Sequence, residues 1–207
     1  MTLPLLSRAE TRNSGSGIED PGSVGSRFPR ADPGPRILDP SLIEIRTATA
    51  HEADAIHELI DEQLAEGHLL PRQLGEVLVH VHRFVVAVHG DEVLACAELA
   101  PLSRAVAEVR SMVVSREARG RRLGGRIVKE LVRRATASGF EKLCAFTHSP
   151  GYFVRLGFSI VPHVWLPEKI VTDCHACSQF RRCGQYAVVR SLDRPRHDCV
   201  PLAALHG

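Results

Sequence analysis

One stretch of the chain, residues 106–137, constrains the fold most, because a buried strand, a short loop and a long helix follow one another directly. The strand is predicted over 106–114, where most residues are apolar, and the loop after it is rich in arginine and glycine. The helix is predicted to begin near Leu123 and to end before Gly139, since glycine commonly ends helices. Its apolar face is formed by residues at helical spacing, namely Leu123, Ile127, Val128, Leu131, Val132 and Ala135.

The loop between this strand and this helix has the composition of an anion-binding site. Gly120, Gly124 and Gly125 let the backbone approach a ligand closely. The first N–H groups of a helix lack partners within the helix, and the helix dipole favours negative charge there. Positive charge is added by Arg119, Arg121 and Arg122. The loop is therefore predicted to bind a diphosphate; the alternative is an ordinary strand–turn–helix unit with a solvated basic face.

Composition limits the kind of protein that this chain can be. It has 207 residues, of which 44% are hydrophobic and 24% charged, as in globular domains with a sizeable core. The net charge of +2 is too small to indicate nucleic-acid binding as the main role, and no apolar run is long enough to span a membrane. The first residues lack the long apolar core of a secretory signal, and six cysteines without such a signal favour a reducing compartment. We therefore expect a cytoplasmic protein that acts on a small molecule.

The chain divides into three parts. Residues 1–40 are rich in Gly, Ser, Pro and Arg, which predicts disorder, although an over-long gene start explains them equally well. Residues 41–192 form one predicted domain, and residues 193–207 a loose tail. Strands are expected over 43–47, 84–88, 92–99, 106–114, 142–147, 158–165 and 186–192, and helices after the capping box Thr49-x-x-Glu52, over 73–82, from 123 and over 150–156. The order β-α-α-β-β-β-α-β-α-β-β predicts a mixed α/β sheet with one central crossover.

The glycine-rich loop resembles motif A of the GNAT superfamily of N-acetyltransferases. That motif reads Gln/Arg-x-x-Gly-x-Gly/Ala and holds the pyrophosphate of acetyl-CoA; the matching residues are Arg119-Gly120-Arg121-Arg122-Leu123-Gly124. Arg122 stands where the first glycine of the motif usually lies, and an arginine adopts positive φ only at a cost. The resemblance implies a mostly antiparallel sheet flanked by helices and acetyl-CoA as co-substrate. The residues implied to line the acetyl-CoA site are Met112, Val113, Val114, Arg119, Gly120, Arg121, Arg122, Leu123, Gly124 and Gly125.

Five blocks of sequence also resemble short bacterial N-acetylglutamate synthases, in the same order. They lie at 67–72, 108–111, 150–153, 166–169 and 173–183, so the resemblance covers nearly all of 42–192. It implies acetyl transfer from acetyl-CoA to the α-amino group of glutamate, the first step of arginine biosynthesis. Dimers are common in this family, which by analogy suggests a homodimer. Two alternatives stay open: transfer to another small amine or amino acid such as glutamine, and an acetyl-CoA-binding module without turnover.

Acetyl transfer to an amine needs a neutral amine, a polarised thioester carbonyl and a path for the thiolate to leave, with both substrates held in line. The backbone N–H near Val113 is expected to polarise the carbonyl, which requires strand 106–114 to splay from its neighbour. Glu108 is the candidate general base and Glu98 the second candidate. The alternative for Glu108 is an outward carboxylate paired with Arg110 or a lysine. His148 could titrate usefully or be a loop histidine.

A candidate general acid lies in residues 151–158, which resemble GNAT motif B. Many members carry a general-acid tyrosine in the sequence Phe-Tyr-x-x-x-Gly-Phe. Here Phe153 occupies the register of that tyrosine, and Tyr152 lies one residue earlier, about 100° around a helix. Tyr152 is therefore predicted as a general acid or as a packing residue, and Phe153 and Trp165 as core residues.

Glutamate brings two carboxylates, which arginine and lysine bind well. Arg72, Arg110 and Lys169 are the cations within the resembling blocks, and we predict that they bind the amino-acid substrate. Taken singly, each has the alternative of a surface charge.

Three cysteines have the spacing of a metal site. Cys174-x-x-Cys177 followed by Cys183 predicts bound zinc, with His175, His197 or Cys199 as a fourth ligand, and such a site would suit a metal-sensing domain. The alternative is a metal-free, cysteine-rich loop over the sheet. Cys96 and Cys144 lie inside predicted strands and are expected to be buried as small hydrophobic residues.

Overall fold

The computed structural model of the protein describes residues 39–64, 69–177 and 180–192, and a seven-stranded sheet runs through them. The predictions for the N-terminal segment up to residue 38, for Gly67 and His68, and for the tail with His197 and Cys199 lie outside the described residues. Within them, no helix is both long enough and apolar enough to cross a membrane.

The sheet has the mixed, mostly antiparallel arrangement that the sequence predicts. Its strands lie in the order β1-β2-β3-β4-β5-β7-β6. Only β4 and β5 run parallel, and every other neighbouring pair is antiparallel. A parallel pair needs a crossover connection, which the long helix after β4 provides. The strands are β1 (Ile43–Thr47), β2 (Phe84–His89), β3 (Glu92–Pro101), β4 (Val106–Val114), β5 (Lys142–Thr147), β6 (Ser159–Val161) and β7 (Tyr186–Ser191).

Helices cover both faces of the sheet, so alternate residues of the central strands enter two separate cores. On one face, Val85 and Ala87 of β2 pack with Ile127 and Leu131 of the long helix. On the other face, Phe84, Val86 and Val88 pack with the first helix. This is why every residue of β2 from Phe84 to Val88 is apolar. The helices are α1 (Ala53–Leu64), α2 (Leu74–His80), α3 (Leu123–Ala137), α4 (Pro150–Val154) and α5 (Pro167–Thr172).

The capping box before α1 is present. The carboxylate of Glu52 accepts hydrogen bonds from the backbone N–H of Thr49 at 2.7 Å and from its hydroxyl at 3.0 Å. The same carboxylate accepts two hydrogen bonds from Arg46, and these lower the pKa of Glu52. The apolar face of α1 is buried as predicted at Ala53, Ile56 and Ile60, but its last fully buried residue is Gln63, and the predicted Leu64 is only partly buried.

Two elements near the C-terminus differ from the prediction. The strand predicted over 158–165 ends at Val161, because Pro162 has no N–H for a sheet hydrogen bond, and His163–Trp165 form a 3-10 turn instead. Helix α5 was not predicted. It begins with Pro167, whose fixed φ suits the first helical position.

Candidate active site

The sheet opens where β4 leaves β5. Their pairing covers only three positions and ends at Glu108 opposite Cys144. On the other side of β4, the register with β3 shifts between Cys96 and Glu98, and Ser111 has a φ of 48°, which is uncommon for a residue with a side chain. Such a bulge bends a strand away from its neighbour. The predicted splay of β4 is therefore present, and it opens the far half of the strand to a cleft.

The cleft at this opening has a volume of about 1480 Å³. That is larger than the roughly 300–1,000 Å³ of typical small-molecule pockets, so the cleft has room for two substrates. The structure brings the predicted catalytic, acetyl-CoA-binding and substrate-binding residues together on its walls. Those residues are Arg72, Glu108, Arg110, Met112, Val113, Val114, Arg119, Gly120, Arg121, Arg122, Leu123, Gly124, Gly125, Tyr152 and Lys169.

One end of the cleft is built from the backbone at the start of α3. The first hydrogen bond of helical type runs from Arg126 N–H to the carbonyl of Arg122, at 3.2 Å. The N–H groups of Leu123, Gly124 and Gly125 therefore have no acceptor within the helix. Arg122 precedes the helix with a φ of 61°, a left-handed conformation that costs an arginine about 1 kcal/mol. The arginine at the glycine position of the motif thus keeps the backbone shape of a glycine.

Tyr152 lies against this helix start. A Cβ added to Gly124 would lie 2.5 Å from the Tyr152 hydroxyl, whereas one added to Gly125 would meet only Leu156, at 3.7 Å. The Tyr152 ring packs edge-on against Phe153, with 5.5 Å between ring centroids. Partial burial raises the pKa of Tyr152, with Arg155 acting in the opposite direction. The phenol is therefore protonated at neutral pH, as a proton donor must be.

The other end of the cleft is built from charged side chains. Glu108 is 3% exposed, and both of its oxygens are engaged: Lys169 Nζ lies 2.7 Å from Oε1, and Arg110 Nε lies 2.6 Å from Oε2. Asp173, after α5, is the second partner of both cations; it lies 2.9 Å from Lys169 Nζ and accepts a hydrogen bond from Arg110 Nη2. Burial alone would lower the pKa of Arg110, but Glu108 and Asp173 together raise it.

A second ion-pair group lies beside this cluster. Glu98, the second candidate base, is 1% exposed and lies 3.0 Å from Arg72 Nη2. Glu76 lies 3.2 Å from Arg72 Nε. Glu98 also lies opposite Arg110 across the β3–β4 pair. Three cations and four carboxylates therefore lie together at this end of the cleft, which we call the acceptor end. Each of the three predicted substrate-binding cations, Arg72, Arg110 and Lys169, has a carboxylate partner there and is not an isolated surface charge.

The pairing of Glu108 corresponds to the alternative that the sequence left open, a carboxylate joined to Arg110 and a lysine. It differs from that alternative in one respect, because Glu108 is buried on the wall of the cleft instead of facing outward. Glu108 thus holds Arg110 and Lys169 in place. His148, at the end of β5, also lines the cleft and is exposed.

The prediction of bound zinc has no support in the described residues. Across 39–64, 69–177 and 180–192, no group of three or more His, Cys, Asp and Glu side chains is arranged to hold a metal ion. Cys174 begins a 3-10 turn and Cys177 follows it, both half-buried, whereas Cys183 is exposed. Burial raises the pKa of the Cys174 thiol.

Of the predictions for the remaining aromatic and cysteine residues, three are confirmed and one is wrong. Cys96 and Cys144 are buried as expected, and burial raises the pKa of Cys96 to about 12. Phe153 is buried and packs against Phe158, as expected of a core residue. Trp165 was expected in the core, but it is 65% exposed, because the strand predicted to carry it ends at Val161, before Pro162.

Among the cleft residues that sequence reasoning did not identify are Gln63 and Asp173. Gln63 continues the buried face of α1, where a polar residue among Ile56, Leu59 and Ile60 is a visible anomaly. Asp173 stands four residues after Lys169, a spacing at which opposite charges meet on a helix. Both signals are present in the sequence, but neither indicates which surface the side chain faces.

The comparisons with known proteins agree with this geometry. Residues 45–158, more than half of the chain, match the model of the Acetyltransferase (GNAT) family. An uncharacterised N-acetyltransferase of Chlorobaculum tepidum is 28% identical over 148 residues, which cover 72% of this chain and 96% of that protein. The amino-acid acetyltransferase of Pectobacterium carotovorum is 27% identical over 153 residues, which cover 73% of this chain.

The relatives named amino-acid acetyltransferase are longer than the matched region. The match covers 35% of the Pectobacterium enzyme, so the chain spans about a third of its length. Among solved structures, the N-acetylglutamate synthase of Neisseria gonorrhoeae, complexed with coenzyme A and N-acetyl-glutamate, superposes with a TM-score of 0.67 at 25% identity. That superposition covers 73% of this chain and 35% of the other. With its sheet, its cleft and its family match in agreement, the chain belongs to the GNAT family of acetyltransferases.

Proposed function

We propose that the protein transfers the acetyl group of acetyl-CoA to the α-amino group of L-glutamate, the first step of arginine biosynthesis. The observation that carries this proposal is one cleft that joins an anion-binding helix start to a buried cluster containing Arg72, Arg110 and Lys169. The similarity to a synthase complexed with coenzyme A and N-acetyl-glutamate supports it.

The donor end fits the diphosphate of acetyl-CoA. The N–H groups of Leu123, Gly124 and Gly125 have no acceptor within α3, and the helix dipole adds positive potential at the same place. Arg119, Arg121 and Arg122 lie on the same wall of the cleft. The thioester arm would then run along the splayed edge of β4, where a backbone N–H near Val113 can polarise the carbonyl without any side chain. The N–H of Val113 itself faces Cys96 on β3, so the N–H groups on the open edge are those of its neighbours Met112 and Val114.

The reaction forms a C–N bond between the acceptor amine and the acetyl carbon and breaks the C–S bond of the thioester. The amine must be neutral to attack, and Glu108 accepts its proton directly or through water. The departing thiolate takes a proton from Tyr152, whose pKa is raised by burial. Glu108 keeps unused lone pairs beside its contacts with Arg110 and Lys169, and one of these is the proposed proton acceptor.

Acceptor binding is an exchange of carboxylates. Each cation at this end already has a carboxylate partner, so a substrate carboxylate must replace one of them. Of the two carboxylates that pair with both Arg110 and Lys169, Asp173 is the more open to replacement, because 33% of its side chain is exposed, against 4% for Glu108. On Arg72, Glu76 is the partner more open to replacement, at 44% exposed against 2% for Glu98. The side-chain carboxylate of glutamate would take the place of Asp173 on Arg110 and Lys169, and Arg72 would take the α-carboxylate.

Asp173 also favours a second candidate acceptor, glutamine. If Asp173 stays in place, an acceptor carboxylate meets a like charge, which costs binding energy. A side-chain amide avoids this cost, because its oxygen can accept from Arg110 or Lys169 while its NH₂ group donates to Asp173. The two candidates therefore differ in whether Asp173 leaves the cluster or becomes part of the acceptor site.

A thiol-release assay tests the proposal. Acetyl-CoA is supplied with glutamate, glutamine, aspartate, lysine or an aliphatic amine, and free coenzyme A is measured. We expect rapid release with glutamate or glutamine and slow release with the others. Equal release with all amines would refute the proposed acceptor. Thermal stabilisation by coenzyme A without thiol release from any acceptor would instead identify a binding module without turnover.

The variant Asp173→Asn separates the two amino acids. Replacing the carboxylate by an amide of the same shape should raise the preference for glutamate over glutamine about tenfold, since it removes a like charge that faces the side-chain carboxylate. The measurement is the ratio of kcat/KM for the two acceptors. An unchanged ratio would show that Asp173 does not contact the acceptor side chain.

A further inference from the structure

Gln63 is a polar residue within the apolar face of α1. It follows Ile56, Leu59 and Ile60 at helical spacing, is 4% exposed, and lies on the wall of the active-site cleft. A buried amide destabilises a fold unless its polar atoms are hydrogen-bonded. An apolar residue would satisfy α1 at lower cost, so the amide requires a reason outside the packing of the helix.

Only one of the two polar atoms of this amide is satisfied by the described part of the chain. Oε1 accepts a hydrogen bond from Arg119 Nη2, whereas Nε2 is buried without a partner there. Because a guanidinium group only donates, the oxygen of the amide must be the atom that faces Arg119, and this fixes which way the NH₂ group points. The residue thus carries a hydrogen-bond donor of fixed orientation behind the cleft wall, and a ligand reaches this donor once the side chains that cover it move aside.

The position of Arg119 identifies the end of the cleft that this donor serves. Arg119 is the first residue of the loop that leads into α3, and Gln63 and the loop line the same cleft. The anion-binding features of that end are the loop arginines and the unpaired N–H groups of the first turn of α3. Beside these groups, the N–H donor of Gln63 would be satisfied by a hydrogen bond to an oxygen atom of the ligand that binds there.

We propose that Gln63 Nε2 donates a hydrogen bond to a diphosphate oxygen of acetyl-CoA, while Gln63 Oε1 holds Arg119 toward the same diphosphate. This assignment rests on acetyl-CoA being the donor substrate. Under this assignment, Gln63 is a residue of α1 that binds acetyl-CoA, and it lies outside the strand–loop–helix segment that carries the family motif. An amide carbonyl of the pantetheine arm offers the same hydrogen-bond acceptor, so the experiment must distinguish the two oxygens.

Two variants separate direct contact from support of Arg119. Gln63→Glu keeps the size of the side chain and an acceptor for Arg119, but it replaces the NH₂ donor with a carboxylate oxygen that repels phosphate. Gln63→Met keeps the size and removes both polar atoms. The matched control is Gln73→Glu, the same chemical change at an exposed residue outside the cleft lining.

Coenzyme A binding is measured by calorimetry, and steady-state kinetics are measured with acetyl-CoA and with acetylpantetheine, which lacks the diphosphate and the nucleotide. Both Gln63 variants should bind coenzyme A roughly 10- to 100-fold more weakly than the wild type, as expected for the loss of a hydrogen bond to a charged group. Their KM for acetyl-CoA should rise with little change in kcat, and their kinetics with acetylpantetheine should match the wild type. Gln73→Glu should match the wild type throughout.

Two results would overturn the assignment. If Gln63→Glu binds coenzyme A as the wild type does, the residue acts only by holding Arg119. If KM for acetylpantetheine rises in the variants as much as KM for acetyl-CoA, the contact is made to the pantetheine arm. Gln63→Met removes an unsatisfied donor from a buried site, so it should fold. The increase in its unfolding temperature on addition of coenzyme A is a second measure of how strongly it binds coenzyme A. A wild type that neither binds coenzyme A nor releases thiol would refute the proposed function instead.

Discussion

The two ends of the cleft are built in different ways. The donor end is made mainly of backbone from one continuous segment, the loop and the first turn of α3, and glycines keep it open. The acceptor end is made of side chains from four separate segments: Arg72 before α2, Glu98 on β3, Glu108 and Arg110 on β4, and Lys169 and Asp173 on and after α5.

This difference implies different sensitivities. A backbone site changes little when one charged side chain is removed, but it is blocked by a methyl group in the wrong place. A buried ion-pair cluster behaves in the opposite way, because removing one partner leaves the others buried and uncompensated. Substitutions at the two ends should therefore separate acetyl-CoA binding from acceptor use.

Lys169→Met should have the largest effect. It removes a cation that contacts both Glu108 and Asp173, and it leaves Glu108 buried beside Arg110 alone. Breaking a buried pair in this way should destabilise the protein by about 3–5 kcal/mol. Because the variant also loses a charged hydrogen-bond donor to the substrate carboxylate, worth about 1.5–3 kcal/mol, kcat/KM for the amino acid should fall up to about 100-fold. Coenzyme A binding, measured by calorimetry, should be retained.

The control for this variant is Lys142→Met, at the exposed start of β5, which should match the wild type. If Lys169→Met weakened coenzyme A binding as strongly as acceptor use, the two ends would not be separate, and the comparison between them would be wrong.

Gly125→Ala should have the next largest effect, and on the donor end alone. The added methyl group would meet Leu156 at 3.7 Å, an ordinary contact, and alanine is the better helix former by about 1 kcal/mol. The protein should therefore be slightly more stable, while KM for acetyl-CoA rises about tenfold because the methyl group keeps the diphosphate from the backbone.

Gly124→Ala makes a less clean test unless Tyr152 is changed as well. Its methyl group would lie 2.5 Å from the Tyr152 hydroxyl, so a loss of activity could come from Tyr152 and not from the diphosphate. In a Tyr152→Phe background this contact is absent, and a remaining rise in KM would report on the diphosphate. A normal KM in both Gly125→Ala and the double variant would place the diphosphate elsewhere.

Arg122→Gly should have a smaller effect, on stability. Its left-handed φ of 61° costs about 1 kcal/mol, and glycine removes that cost while adding freedom to the unfolded chain, for a net gain below about 1 kcal/mol. Gly120→Ala is the reverse test, because Gly120 has a φ of +80° with nothing within 4 Å of an added Cβ. Thermal unfolding should move up for the first variant and down for the second; shifts of the same sign would contradict the backbone argument.

The smallest effect concerns the titration of Tyr152. Burial raises its pKa above the ordinary value of 10.0, so the phenol loses its proton only at a pH above that value, and the folded state loses stability relative to the unfolded state as pH rises past 10.0. The chain has two tyrosines, so Tyr186→Phe leaves Tyr152 alone. Tyrosinate absorbance of that variant should appear at higher pH when folded than in denaturant. Identical titrations would place Tyr152 in open solvent.

The contrast between the ends also explains what the sequence could predict. Every strand except β6, together with α1 and α3, follows from apolar periodicity and glycine placement within short segments, and these predictions are confirmed. The contacts of Asp173 with β4, and of Gln63 with Arg119, join residues 56 or more positions apart, which no local pattern encodes. Local reasoning also failed at Trp165, because the helical turn after Pro162 turned it out of the predicted strand.

The central claim is that the loop and first turn of α3 bind the diphosphate of the acetyl donor. A calorimetric titration compares coenzyme A with pantetheine, which lacks the diphosphate, on the wild type. We expect coenzyme A to bind at least about tenfold more tightly than pantetheine, since the orphan N–H groups, the helix dipole and the arginines all act on the diphosphate. Equal affinity for the two compounds, or no binding of coenzyme A, would contradict the claim.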